Sequence, residues 1–166
     1  MYQPFPQDKF KSTERELWFL ELVEHIRPQA ESQPYVADLT RIAGLPREVR
    51  ALYFLRLFYA EVGGNGIECF LLEPQGHFTP QAHEALRLLG ASELVERLEA
   101  GIPHALASGS AEFSAGPDLT WFRQFQPTPK FPTLQSVGAD IYDLAGDDLR
   151  ERASAFIKAQ RGVLVA

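Results

Sequence analysis

The sequence predicts an all-α protein built as a single compact multi-helix domain over residues 1–166. Three observations carry this. Apolar residues recur at three- and four-residue spacing in several segments, helix start and stop signals flank those segments, and no region sustains the alternation with β-branched residues that strands need. At 166 residues and 45% hydrophobic, the chain is long enough to bury one core and short for two.

The elements follow in order. Thr13 and Glu16 form a capping-box pattern, after which Leu17, Leu20, Val23 and Ile26 keep helical spacing until Pro28, where the run is expected to stop. A polar link, "PQAESQP", leads to "YVADLTRIAG", read as a short helix ending at Gly44, with Pro46 as the first residue of the next. From Pro46 to Val62 nearly every face is apolar (Val49, Leu52, Tyr53, Phe54, Leu55, Leu57, Phe58, Tyr59), which places this helix at the centre of the fold. Residues 67–72 add a helical turn or two. Thr79 and Pro80 open a helix with Ala82, Ala85, Leu86 and Leu89 on one face and Gly90 as its stop. "ASELVERLEAG" repeats the arrangement, with Ser92 as cap, Leu94, Val95 and Leu98 inward, and Gly101 at the end.

Between 103 and 135 the punctuation changes. Pro103, Gly109, Gly116, Pro117, Pro127, Pro129 and Pro132 exclude a long helix and predict a long ordered loop, rich in aromatics, before the C-terminal helix. "DLTWFRQF" reads as a short helical piece within it, capped by Asp118. The closing stretch "SVGADIYDLAGDDLRERASAFIKAQRG" gives a turn and a helix, with Leu149, Ala153, Phe156 and Ile157 inward and Lys158 and Arg161 favourably near the helix C-terminus.

The segment "EVGGNGIECFLLEPQG", residues 61–76, invites a phosphate-loop reading and fails it. A Walker loop needs Gly-x-x-x-x-Gly-Lys-Ser/Thr after a strand, and a dinucleotide fingerprint needs Gly-x-Gly-x-x-Gly opening a βαβ unit. This segment follows a helix, has no lysine, and sets Glu61, Glu68 and Glu73 where they would repel phosphate. Gly64, Asn65 and Gly66 are read instead as a structural turn whose residues tolerate positive φ.

"EVGGNGIECFLLEPQG" followed by "EALRLLGASELVERLEAGI" resembles the bacterial family of DNA-mimic protein 19-like domains, over about residues 46–160. Glu61, Gly66, Phe70, Ala85, Leu86, Gly90 and Ala91 match the family pattern, and "ADIYDLAGDDLRERASAFIKAQ" resembles its closing segment and terminal helix. Gly64-Asn65-Gly66 replaces the usual Asn-Gly-Gly, Ile67 stands for Phe and Cys69 for Gln. The resemblance implies an all-helical dimer whose acidic surface imitates DNA and occupies a transcription repressor. It carries over no catalytic residue.

Charge is distributed unevenly. The chain has 22 acidic and 16 basic side chains, net −6, which argues against direct binding to nucleic acid or to an anionic membrane. Residues 60–101 carry most of the excess, with Glu61, Glu68, Glu73, Glu84, Glu93, Glu96 and Glu99 against Arg87 and Arg97. Residues 136–152 carry the rest, with Asp140, Asp143, Asp147, Asp148 and Glu151 against Arg150 and Arg152. Glu93, Glu96 and Glu99 recur at a spacing that sets Cβ atoms about 5–6 Å apart on a helix, near the repeat of about 7 Å along a strand that a phosphate mimic requires, while drifting around the helix. A solvated face is the competing reading of such a charge run.

Other chemistry is sparse. Cys69 has His77 and His83 nearby in sequence, but no paired zinc-ligand spacing occurs, so the thiol reads as a small apolar residue and no metal or cofactor is expected. Asp143 and Asp147 could share a cation or act as an acid and base pair, and Asp147 and Asp148 after Gly146 read better as helix caps. "DLTWFRQFQPTPKFP" interleaves Trp121, Phe122, Phe125 and Phe131 with Arg123 and Lys130, a base-stacking pattern outweighed by a hydrophobic loop on the core or a dimer contact. The single cysteine, the absence of a signal-like start and the lack of long apolar runs predict a cytoplasmic protein without a membrane span. The reading that results is a non-enzymatic protein, a homodimer if the resemblance holds, that binds a protein partner. Its acidic face would comprise Glu93, Glu96, Glu99, Asp140, Asp143, Asp147 and Asp148, and the expected partner is a DNA-binding regulator. An immunity-like, toxin-neutralising protein is the second reading and a small metal-assisted hydrolase the third.

Overall fold

A computed structural model describes residues 1–12, 18–33, 36–72, 78–109 and 119–166. Helices dominate: α1 Gln7–Ser12, α2 Trp18–Ala30, α3 Leu39–Ala43, α4 Arg47–Leu72, α5 Thr79–Leu88 and α6 Ser92–Ser108. A 3-10 turn at Phe122–Gln124 follows, then α7 Leu134–Gly138, α8 Ile141–Asp143, a wider π-type turn Leu144–Asp148, α9 Leu149–Ala159 and α10 Arg161–Leu164. The all-α class holds. The departures among the described residues are a two-stranded antiparallel ribbon, β1 Glu31–Gln33 with β2 Val36–Ala37, and an isolated parallel bridge between Phe5 and Val165.

The central helix is where its apolar faces predict. Val49, Leu52, Tyr53, Phe54, Leu55 and Phe58 are all buried on α4, which packs against α2, α5, α6, α7 and α8. Buried residues from Phe5 to Leu164 belong to one cluster. The two chain ends meet, since the Phe5 amide donates to Leu164 O at 2.8 Å and the Ala166 amide to Phe5 O at 2.9 Å.

Several boundaries differ from those expected, each for a local reason. The Thr13–Glu16 capping box and Leu17 lie outside the described residues, as do His77, Glu73 and Asp118. Pro28 does not stop α2, which runs on to Ala30. In the last turn a proline forfeits only one intrahelical bond, and Val23, Ile26 and Ala30 bury on both sides of it. The "YVADLTRIAG" helix begins only at Leu39, because the Asp38 carboxylate accepts from the amides of Thr40 and Arg41 at 3.0 and 3.1 Å and caps it. Ser92 lies inside α6 and no side chain caps that helix. Gly90 does end α5, at φ 70°.

The largest correction concerns Gly101 and Pro103, which were expected to end and to exclude a helix. Instead α6 continues through both to Ser108. Gly101 is a packing residue: a Cβ there would stand 2.5 Å from Leu71 Cδ1, so its missing side chain lets α6 lie close on α4. That burial stabilises a helix that Pro103 would weaken in water.

The Gly-rich turn is narrower than expected. Gly64 and Asn65 are helical and exposed, and the break in α4 falls on Gly66 alone, buried at φ 87° and ψ 168°. Only glycine enters that region readily. Gly66→Ala should therefore destabilise the protein by about 1–3 kcal/mol. Gly64→Ala, which meets open space on a helical backbone, should stabilise it by about 0.5–1 kcal/mol. Urea denaturation of the two variants checks both signs.

Among the described residues two buried side-chain polar atoms, Gln81 Oε1 and Arg97 Nε, lack a hydrogen-bond partner, whereas the buried Glu31 is matched. Glu31, 7% exposed, accepts from Arg27 Nε at 3.2 Å and from the Tyr53 hydroxyl at 3.3 Å. Burial, and then the neighbouring Glu31 carboxylate, push the Tyr53 phenol well above the ordinary tyrosine range. Burial pushes Tyr2 up to about 12. A raised phenol favours the folded state while protonated, so this stability should be whole below pH about 10, the unfolded value, and decline as pH rises toward the folded values. Chemical denaturation across that window should show the decline, and Tyr2→Phe with Tyr53→Phe should flatten it.

Candidate functional site

The acids on α6 are exposed to differing extents, and each has a base beside it. Glu93 lies 3.7 Å from Arg97 Nη2, and both Glu96 oxygens accept from Lys130 Nζ, at 2.9 and 2.7 Å. Glu99 accepts from His83 Nε2 at 2.7 Å. The expected carboxylate repeat is present along the helix, but it is matched residue by residue. Two of the matching groups arrive from distant chain, Lys130 from the aromatic segment and His83 from α5.

The second acidic block is different. Asp140 and Asp143 are exposed and have no side-chain partner among the described residues. Asp148 pairs with Arg152 Nε at 2.7 Å. Asp147 is placed by its backbone in the π-type turn, and its side chain lies outside what the structure describes. The cap reading of Asp147 and Asp148 fails for Asp148, which has helical φ and ψ, makes no cap bond and sits in a turn already wound into α9. Between the two unmatched aspartates stands Tyr142, 56% exposed, while Ile141 beside it is 1% exposed and fixes the segment to the core.

Arg97 places this segment. Its guanidinium is almost wholly buried on α6, donates to Val137 O at 2.9 Å and to Ala139 O, and stacks 5.3 Å from the Phe131 ring centroid. Ala139 immediately precedes Asp140, whose φ of 57° turns the chain into α8. Aspartate tolerates that left-handed conformation better than most residues. On the other flank, Arg152 Nη1 donates to Gly90 O at 2.9 Å and ties α9 to the α5–α6 turn.

The aromatic segment packs on the core as expected. Phe122 and Phe131 are buried, the Phe131 carbonyl accepts from His104 Nε2 at 2.9 Å, and Lys130 is occupied by Glu96. Trp121 and Phe125 remain half-buried against His83, beside a cleft of about 890 Å³. Cys69 is half-buried on α4 and has neighbours of its own. Among the described residues no three His, Cys, Asp or Glu side chains converge as metal ligands, and no helix is long and apolar enough to cross a membrane.

The family model of the DMP19-like proteins matches residues 43–160, more than half of the chain. The chain belongs to the DMP19-like protein family. No curated protein and no solved structure matches it. The stretch that makes this chain DMP19-like runs from α3 through α9, so it takes in α6, the Arg97 contacts and the segment around Tyr142.

Tyr142 and Arg97 both escaped the sequence reading. The Tyr142 signal was present, as an aromatic residue between two aspartates in a short turn-rich stretch, although nothing local says whether it points out. Arg97 sits four residues after Glu93 and looks like the partner of a surface ion pair; its carbonyl acceptors lie 40 and 42 residues on. Arg97→Met should leave those carbonyls without their charged donor and cost about 1.5–3 kcal/mol. Thermal denaturation measures that cost, and amide hydrogen exchange should rise most over 137–143.

Proposed function

We propose that this DMP19-like protein is a non-enzymatic binding domain that presents an acidic face to a basic protein surface. The carrying observation is the pair of unmatched, exposed aspartates, Asp140 and Asp143, on either side of exposed Tyr142. An unmatched carboxylate attracts a cationic partner without first giving up an internal ion pair, and tyrosine supplies contact area at low entropic cost. On this reading the α6 acids are secondary. Glu93, Glu96 and Glu99 would have to exchange Arg97, Lys130 and His83 for the partner's bases, which removes much of the net gain.

The class of partner follows from the family resemblance, in which an acidic helical surface takes the place of DNA on a transcription regulator. Such a partner offers the lysines and arginines that would otherwise meet phosphate, so binding should weaken steeply with salt and compete with duplex DNA. A basic toxin is the other partner with this chemistry. It would share the salt dependence without the competition by DNA.

The test is capture of salt-sensitive proteins from native lysate on the tagged chain, followed by titration of the purified partner. Asp140→Asn, which keeps a side chain suited to the left-handed turn, with Asp143→Lys should weaken binding at least about tenfold, roughly 1.4 kcal/mol, with the melting temperature retained. Glu93→Gln, Glu96→Gln and Glu99→Gln together should change it far less. The reverse order of effects would move the binding face to α6, and equal affinity in all three proteins would remove the acidic-face reading.

A further inference from the structure

The cleft of about 890 Å³ between α5, α6 and the 119–125 segment is within the range of small-molecule sites and has no role in the binding face just described. At its wall His83 is only 8% exposed. Its Nε2 stands 2.7 Å from Glu99 Oε1; a carboxylate can only accept, which assigns the hydrogen to Nε2 and, in that tautomer, leaves Nδ1 as an acceptor. No group among the described residues donates to Nδ1. The imidazole is held edge-on by Trp121 and Phe125, with centroids 5.4 and 5.9 Å away, and those two rings stand 4.9 Å from each other.

Arg87 lines the same cleft. It lies four residues after His83 on α5, so the two Cβ atoms are about 5–6 Å apart on one helix face. Its guanidinium is exposed and has no carboxylate partner among the described residues. Of the remaining charges around the cleft, Arg47 is paired with Glu84 at 2.7 Å, and Glu99 is hydrogen-bonded to His83 while keeping its own charge. One unmatched cation, one oriented acceptor and a half-buried aromatic pair therefore face a single space.

We propose that this cleft binds a small aromatic ligand bearing an anionic group for Arg87 and a hydrogen-bond donor for His83 Nδ1, its ring resting on Trp121 and Phe125. The simplest molecule with all three features is 4-hydroxybenzoate; benzoate lacks the donor and phenol lacks the anion. Cleft volume beyond one ring leaves room for a larger substituent.

Calorimetric titration of the full chain with these three compounds is the test, accompanied by the Trp121 indole resonance in a proton–nitrogen correlation spectrum. 4-Hydroxybenzoate should bind and shift that resonance, with benzoate and phenol each weaker by about tenfold, roughly 1.4 kcal/mol. Arg87→Gln, at an exposed position that leaves the core untouched, should lower 4-hydroxybenzoate affinity about tenfold while leaving phenol binding as it was. No saturable heat up to about 10 mM, a range reaching below ordinary metabolite affinities, would overturn the proposal. So would unchanged 4-hydroxybenzoate affinity in Arg87→Gln, or shifts confined to resonances away from Trp121.

Discussion

The buried guanidinium of Arg97 is the contact on which the arrangement of the acidic surface depends. Burying a charge is costly unless hydrogen bonds replace the lost water, and here two backbone carbonyls and an aromatic face replace part of it, with Nε left without a hydrogen-bond partner among the described residues. The contact joins α6 to the end of α7, and it fixes the carbonyl just before Asp140 turns left-handed. Ile141 then drops into the core and leaves Asp140, Tyr142 and Asp143 at the surface. A residue that raises the positive count on paper thus serves to display negative charge elsewhere.

The same reasoning separates formal charge from available charge. Both acidic blocks stand out in the linear sequence, and the richer of the two is the less available, because Glu93 and Glu96 each face a basic side chain and Glu99 is held in a hydrogen bond to His83. Exposed pairs of this kind contribute about 0–1 kcal/mol to stability. Their larger effect is on the surface field, since a matched carboxylate projects little potential beyond a Debye length. The pair of aspartates around Tyr142 has no such compensation from described side chains, and the structural argument for a binding face rests there.

What the sequence made legible follows the range of the forces involved. The central α4 could be read from Val49 to Phe58 because periodicity and burial agree over a long run, and Gly90 could be read because a helix stop is local chemistry. Gly101 and Pro103 could not. Their local preference is to end a helix, and a tertiary approach to Leu71 overrides it. Asp38 took over the start of α3, and Pro28 fell where a lost amide matters least. At the candidate site, sequence named Asp140 and Asp143 but grouped them with carboxylates whose partners lie far along the chain, as Lys130 does for Glu96. His83 was weighed as a metal ligand beside Cys69, whereas its neighbours are Glu99 and two aromatic rings from another segment.

The central claim is that free negative charge at this surface lies around Tyr142 and not along α6. The most direct measurement is the near-surface electrostatic potential, obtained residue by residue from proton relaxation enhancements by a cationic and an anionic nitroxide of like size. The account predicts the most negative potential over residues 140–143, with a distinctly weaker one over 93–99. A potential along 93–99 as negative as that at 140–143 would contradict it.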